Sequence, residues 1–164
     1  MIEVKKNIIN LNQKRCIGCF ACEVHCKTNN DLPVGPRFCR IIADDGDVVG
    51  GTPRTVFSFM PCFHCDSPWC VTACPTGAMQ KRAKDGIVFI DQSLCIGCRL
   101  CTLACPWGAP QWNSETRTVM KCDHCRERVD KGLKPACVTK CTAHALEWLA
   151  VDVAVDVSGE TVRP

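Results

Sequence analysis

Apolar and polar residues alternate over short stretches of this chain, at Lys5 to Leu11, Phe38 to Ile42, Thr55 to Phe59, Gly86 to Asp91, Thr116 to Met120 and Ala145 to Leu149. Period-two alternation over so few positions predicts short strands. Val71 to Ala73 and Leu100 to Ala104 fit single helical turns. No helix long enough for a bundle is predicted, and no apolar run approaches the roughly 18 residues of a membrane span. The last alternation, Val151 to Val157, would present an all-valine face. Two placements suit such a face. One is an edge strand or extended arm docked on a partner, a second copy of this chain included; the other is a strand that closes over the chain's own preceding segment.

These elements bury little by themselves. Apolar residues are dispersed and glycine and proline punctuate the chain, so the interior must be supplied by something other than aliphatic packing. Composition says what: 17 of the 164 residues are cysteine. Cysteine at that density means a disulfide scaffold or a metal protein, and the redox compartment decides between them. Met1 to Gln13 contains Lys5 and Lys6 but no apolar stretch of secretory length and no twin arginine. That predicts a cytoplasmic protein whose thiols stay reduced and bind metal, and whose apo chain does not fold.

The cysteines recur in four groups. Cys16, Cys19, Cys22 and Cys26 are spaced C-x2-C-x2-C-x3-C, and Cys95, Cys98, Cys101 and Cys105 repeat that spacing and add Pro106. Cys62, Cys65, Cys70 and Cys74 form the second group, followed by Pro75, and Cys122, Cys125, Cys137 and Cys141 the fourth. Only Cys39 is left over. A 4Fe-4S cube takes four thiolates at the corners of a tetrahedron wider than that around one ion. Two-residue gaps wrap three successive cysteines round a cube, and the fourth, three residues on, points away and in two-cluster ferredoxins ligates the other cube. Taken alone, Cys122, Cys125, Cys137 and Cys141 also suit a four-cysteine zinc ribbon. Their neighbours favour iron: three groups have cubane spacing, and Cys26 needs an exchange partner that only the fourth group provides.

Four such sites change the charge. The formal net charge of +3 counts every thiol as neutral; a cluster of core charge 2+ held by four thiolates is about −2, so four clusters bring the protein to about −5. The surplus of Lys and Arg is then counter-charge, which argues against nucleic-acid binding. Lys121, Arg126, Arg128, Lys131, Lys134 and Lys140 crowd the fourth group, and a solvated counter-charge face is the expected role, docking of an acidic partner the alternative. Cys39 is expected to be a buried, inert thiol. His64 and His124 each precede the second cysteine of a group and are candidates for hydrogen bonds that tune a potential, or for plain packing. Trp107, after Cys105-Pro106, is expected to pack over a cluster.

The order of the groups, with Cys-Pro-Thr-Gly-Ala at Cys74 to Ala78, Cys-Ile-Gly-Cys-Arg at Cys95 to Arg99 and Lys-Cys-Asp-His-Cys at Lys121 to Cys125, resembles the four-cluster ferredoxin-like subunits of molybdenum and tungsten oxidoreductases. Those include the iron-sulfur subunits of dimethyl sulfoxide reductase, formate dehydrogenase and polysulfide reductase complexes, and small relatives serving tungsten aldehyde oxidoreductases. The resemblance implies an α+β fold of two nested two-cluster modules: an outer one at 1–54 plus 113–150, an inner one at 55–112, and a tail at 151–164. It also implies four 4Fe-4S clusters and their ligands. Cys16, Cys19, Cys22 and Cys141 would hold one, Cys26, Cys122, Cys125 and Cys137 its partner, Cys62, Cys65, Cys70 and Cys105 a third, and Cys74, Cys95, Cys98 and Cys101 the fourth.

The implied function is relay of single electrons between a molybdenum or tungsten catalytic subunit and a second redox protein, with a free-standing diffusible polyferredoxin as the alternative. No catalysis is expected of the chain itself, because each cube has four cysteines and no open iron, and no phosphate loop or dinucleotide fingerprint is present. One departure from the family pattern is Cys141-Thr142-Ala143-His144, where relatives often carry Cys-Pro-Thr-Gly. Another is the short stretch after the last group, which lacks the C-terminal membrane helix of the formate dehydrogenase type and suits a soluble complex.

Overall fold

A computed structural model describes residues 2–49 and 52–155. Strands and helices are mixed and short. In chain order they are β1 (Ile2–Leu11), α1 (Ala21–Asn29), β2 (Arg40–Val49), β3 (Thr52–Met60), α2 (Trp69–Thr72), β4 (Met79–Lys81) and β5 (Val88–Ile90). Then come α3 (Leu100–Ala104), β6 (Gln111–Asn113), β7 (Thr118–Met120), α4 (Arg126–Asp130), α5 (Ala136–Thr139) and β8 (Leu146–Val155). Each predicted strand stretch contains or overlaps an observed strand. The missed elements are β4 and β6, three residues each, the single-turn helices α4 and α5, and α1, whose turns bury Cys22 and Cys26 one above the other and so lack the aliphatic stripe that marks a helix in sequence.

The strands form four antiparallel pairs, β1 with β8, β2 with β3, β4 with β5 and β6 with β7. In the first, Leu11 lies opposite Leu146 and Ile2 opposite Val155, so the two ends of the described chain run side by side. Val151 to Val155 therefore pair within the chain, against Ile2 to Lys6 of β1. Asp156 and Val157 lie outside the described residues. The β2–β3 hairpin carries a bulge between Asp44 and Asp47 and sends Ile41, Phe57 and Phe59 into the core beside β1 and β8. Among the described residues no helix is long and apolar enough to cross a membrane.

Cysteine fills much of both cores. One gathers Cys22, Cys26, Cys137 and Cys141 with Ile41, Phe59, Val138 and Leu146. The other gathers Cys70 and Cys101 with Met79, Val88, Ile90 and Val119. Helices meet in the same pairs: α1 packs on α5, and α2 on α3. Ion pairs join distant segments, Lys6 to Asp66 at 2.6 Å and Arg82 and Lys84 to Asp130, each at 2.8 Å.

Candidate metal centres

The cysteine loops share one backbone shape. Two residues after the first cysteine of each group the chain turns left-handed, at Gly18 (φ 63°), His64 (φ 46°), Gly97 (φ 70°) and His124 (φ 55°). Such a φ is cheap for glycine and costs a side-chain-bearing residue roughly 1–2 kcal/mol. Three residues after the last cysteine of a group it does so again, at Gly77, Gly108 and His144. His144 thus keeps the turn that glycine makes elsewhere, despite the departure in sequence.

Besides an open cleft of about 910 Å³ along Cys65, Cys70, Cys105 and Trp107, three smaller cavities each gather four cysteines. Cys16, Cys19, Cys22 and Cys141 line one, with about 310 Å³ of space free of protein atoms. Cys62, Cys65, Cys70 and Cys105 line the second, of about 290 Å³, and Cys74, Cys95, Cys98 and Cys101 the third, of about 330 Å³. Cys122 and Cys125 lie near enough to Cys26 of α1, and Cys122 and Cys125 to Cys137 of α5, for their charges to act on one another, where α1 packs on α5. There Asn30 Nδ2 donates to Cys26 Sγ at 3.6 Å and its neighbour Asn29 Nδ2 to Cys125 Sγ at 3.8 Å.

The thiols suit a cationic core. Burial pushes Cys22 up to about 12, Cys70 and Cys101 up to about 11, and Cys122 and Cys137 well above the ordinary thiol range. Thiols so placed ionise only against a bound cation, which deprotonates its ligands outright. Backbone N–H groups already aim at sulfur: Ala145 at Cys141 Sγ (3.2 Å), Met79 at Cys74 Sγ and His124 at Cys122 Sγ (both 3.4 Å). At Cys74 burial pushes upward, but the Met79 N–H and Thr76 hydroxyl outweigh it and the pKa is lowered. All 17 cysteines are free thiols, so the donor set fits clusters of iron and sulfide.

Residues 54–150 match the family model of the 4Fe-4S dicluster domain. The chain belongs to the 4Fe-4S dicluster family. This dicluster protein is also 43% identical over 145 residues to the probable anaerobic dimethyl sulfoxide reductase chain YnfG of Escherichia coli, a match covering 84% of this chain and 70% of the relative. It is 42% identical over 149 residues to the B subunit of anaerobic dimethyl sulfoxide reductase of the same organism, covering 87% and 72%. The thiosulfate reductase electron transfer subunit PhsB of Salmonella typhi is 41% identical over 145 residues, covering 86% and 74%.

The remaining candidates of this dicluster protein separate clearly. Cys39 is buried, donates from Sγ to the Cys22 carbonyl at 3.7 Å, and lies outside the three cavities. Its pKa is raised first by its hydrogen bond with Cys26, then by burial and by the charges of Cys26, Cys137 and Cys122, a proximity that spacing did not reveal. Trp107 lines the Cys62 cavity and meets Phe63 edge-on at 5.1 Å. His64 and His124 are both buried. His64 Nδ1 accepts the Val88 N–H at 2.8 Å, which puts its proton on Nε2. Burial, with the Lys121 charge second, holds His64 well below the ordinary histidine range and His124 down to about 3.

The basic face is corrected at one position. Lys131, Lys134 and Lys140 are solvated as expected, but Lys121 is buried. Arg126 lies over the Phe89 ring at 4.5 Å.

Proposed function

We propose that the chain is the non-catalytic electron-transfer subunit of an oxidoreductase complex, relaying single electrons through four 4Fe-4S clusters between a molybdenum catalytic subunit, or its tungsten counterpart, and a second redox protein in the cytoplasm. The observation that carries this reading is the meeting of Cys141 with Cys16, Cys19 and Cys22 in one cavity, although more than a hundred residues separate them. Segments so far apart converge on a set of four thiols when the set holds one cofactor.

In this reading Cys16, Cys19, Cys22 and Cys141 bind one cluster, and Cys26, Cys122, Cys125 and Cys137 a second. Cys62, Cys65, Cys70 and Cys105 bind the third, and Cys74, Cys95, Cys98 and Cys101 the fourth. The modules are nested, 55–112 within 1–54 plus 113–150, and two observations support this: α2 meets α3 while α1 meets α5, and β1 pairs with β8. The clusters supply the one-electron chemistry; the chain holds them in fixed order and excludes water from their buried thiolates. The relatives named as reductase subunits and as an electron transfer subunit support the same role.

Anaerobic purification tests it. The chain should co-elute with a larger catalytic subunit and carry about sixteen iron and sixteen sulfide, four of each per cube. Elution near its own mass of 18.1 kDa would instead favour a diffusible polyferredoxin, and a zinc-dominated analysis would remove the cluster assignment.

A further inference from the structure

Lys121 is 5% exposed, and nothing protein-borne explains its charge. An ammonium withdrawn from water is costly unless an anion meets it. Among the described residues no carboxylate lies within ion-pair distance of its Nζ. Asp85, the buried carboxylate of this region, is already paired with Arg82 at 2.5 Å. Lys121 Nζ donates to the Val88 and Cys122 carbonyls, which position the group but carry no charge, and one of its three N–H donors is left over. Val88 is gripped from both sides, since its N–H donates to His64 Nδ1.

What Lys121 faces is the cavity of Cys62, Cys65, Cys70 and Cys105, whose wall it forms. The Cys16 and Cys74 cavities have no such group, and the fourth thiol set meets Lys121 through Cys122, its neighbour in the chain, whose carbonyl takes one of its N–H bonds. Cationic side chains are absent from the lining of the Cys16 cavity. In the Cys74 cavity the cation is Arg99, which is exposed and lies over the Trp112 ring at 3.7 Å, where water screens its charge.

We infer that Lys121 is the fixed counter-charge of the cluster held by Cys62, Cys65, Cys70 and Cys105, and that it raises the reduction potential of that centre. The inference rests on the ligand set proposed above. On reduction the site goes from about −2 to about −3. The electron comes from the neighbouring donor centre, which is oxidised by the same one electron. A positive charge in a water-poor wall favours the more negative, reduced state.

The test uses the full cluster-loaded chain, titrated potentiometrically with EPR detection. Cys65→Ser first marks the signal that belongs to this cavity; if that variant alters no single centre, the ligand set is overturned and the counter-charge with it. Lys121→Met, which keeps length and removes charge, should retain the iron and lower the reduced-to-oxidised ratio of the marked centre, read at the wild-type midpoint, by at least about tenfold, or 59 mV for one electron. Lys121→Arg should restore it. An unshifted marked centre in fully loaded Lys121→Met, or an equal shift in every centre, overturns the proposal. Should Lys121→Met load incompletely, the counter-charge requires the deficit to be confined to the marked centre and absent from Lys121→Arg. A general loss of iron, or a loss shared by the arginine variant, reduces Lys121 to a carbonyl-bonding residue and overturns it.

Discussion

The imidazole rings of His64 and His124 lie 3.7 Å apart, tilted by 46°. They join the loop of the second cysteine group to the loop of the fourth. A ring nitrogen of each and the Cys122 sulfur all fall within 4.8 Å of one another, and His64 Nε2 and His124 Nδ1 have no hydrogen-bond partner among the described residues. Both rings occupy the left-handed position that groups one and three give to glycine, so each pays backbone strain for its place in the junction.

That strain predicts an inverted ranking. At most positions glycine is worse than alanine, but at φ 46° His64→Gly should be more stable than His64→Ala by about 1 kcal/mol. Both should fall below the parent by roughly 3 kcal/mol, since each empties a buried ring site. Rates of iron release in denaturant compare the three; an alanine variant that outlasts the glycine variant would show that the strain is not there.

Gly97 and Gly77 provide a second contrast. Both are left-handed, at φ 70° and 67°, but a Cβ on Gly97 would lie 2.4 Å from the Arg117 carbonyl oxygen and 3.2 Å from the Trp112 ring, whereas one on Gly77 meets nothing within 4 Å. Gly77→Ala should cost about 1–2 kcal/mol, the strain alone. Gly97→Ala should cost clearly more and selectively loosen the Cys74, Cys95, Cys98 and Cys101 centre, as a cluster-resolved thermal melt would detect. Equal losses would mean the Arg117 backbone yields freely.

The proposed nested pairing requires Cys141→Ser and Cys26→Ser to act at unexpected places. The first should perturb the cluster held by Cys16, Cys19 and Cys22, and the second the one held by Cys122, Cys125 and Cys137, with the inner two centres intact in both. Truncation after Lys121 should leave only the inner pair, about eight iron. Three intact clusters after that truncation, with the first group complete by itself, would contradict the nesting.

Cys39→Ser should leave the iron count unchanged, because Cys39 lies outside the three cavities and the proposed fourth set, Cys26, Cys122, Cys125 and Cys137, has four thiols without it. A small decrease in stability is expected, since the serine hydroxyl must replace the Cys39 Sγ bond to the Cys22 carbonyl in an apolar setting. Loss of four iron atoms would place Cys39 among the ligands in exchange for one of its neighbours, Cys26, Cys122 or Cys137.

Spacing alone made the metal chemistry legible, because the loop round a cube is local: C-x2-C-x2-C wraps three corners whatever surrounds it. The strands at 5–11 and 145–149 were legible for the same reason, since alternation is local too. That 151–155 extend the second of them against β1 was open in the sequence, where a valine face has no partner of its own. The nine-residue α1 escaped because its buried positions are cysteines, not aliphatics. β4 and β6 escaped because three residues show no period and become strands only through the partner opposite. Tertiary structure alone decided the rest. Lys121 reads as one more cation in a basic stretch, and Cys39 as a thiol on an apolar strand. Burial and neighbours in space set their roles, and these come from segments tens of residues away, at Val88 and Cys62 for one and Cys26 and Cys137 for the other.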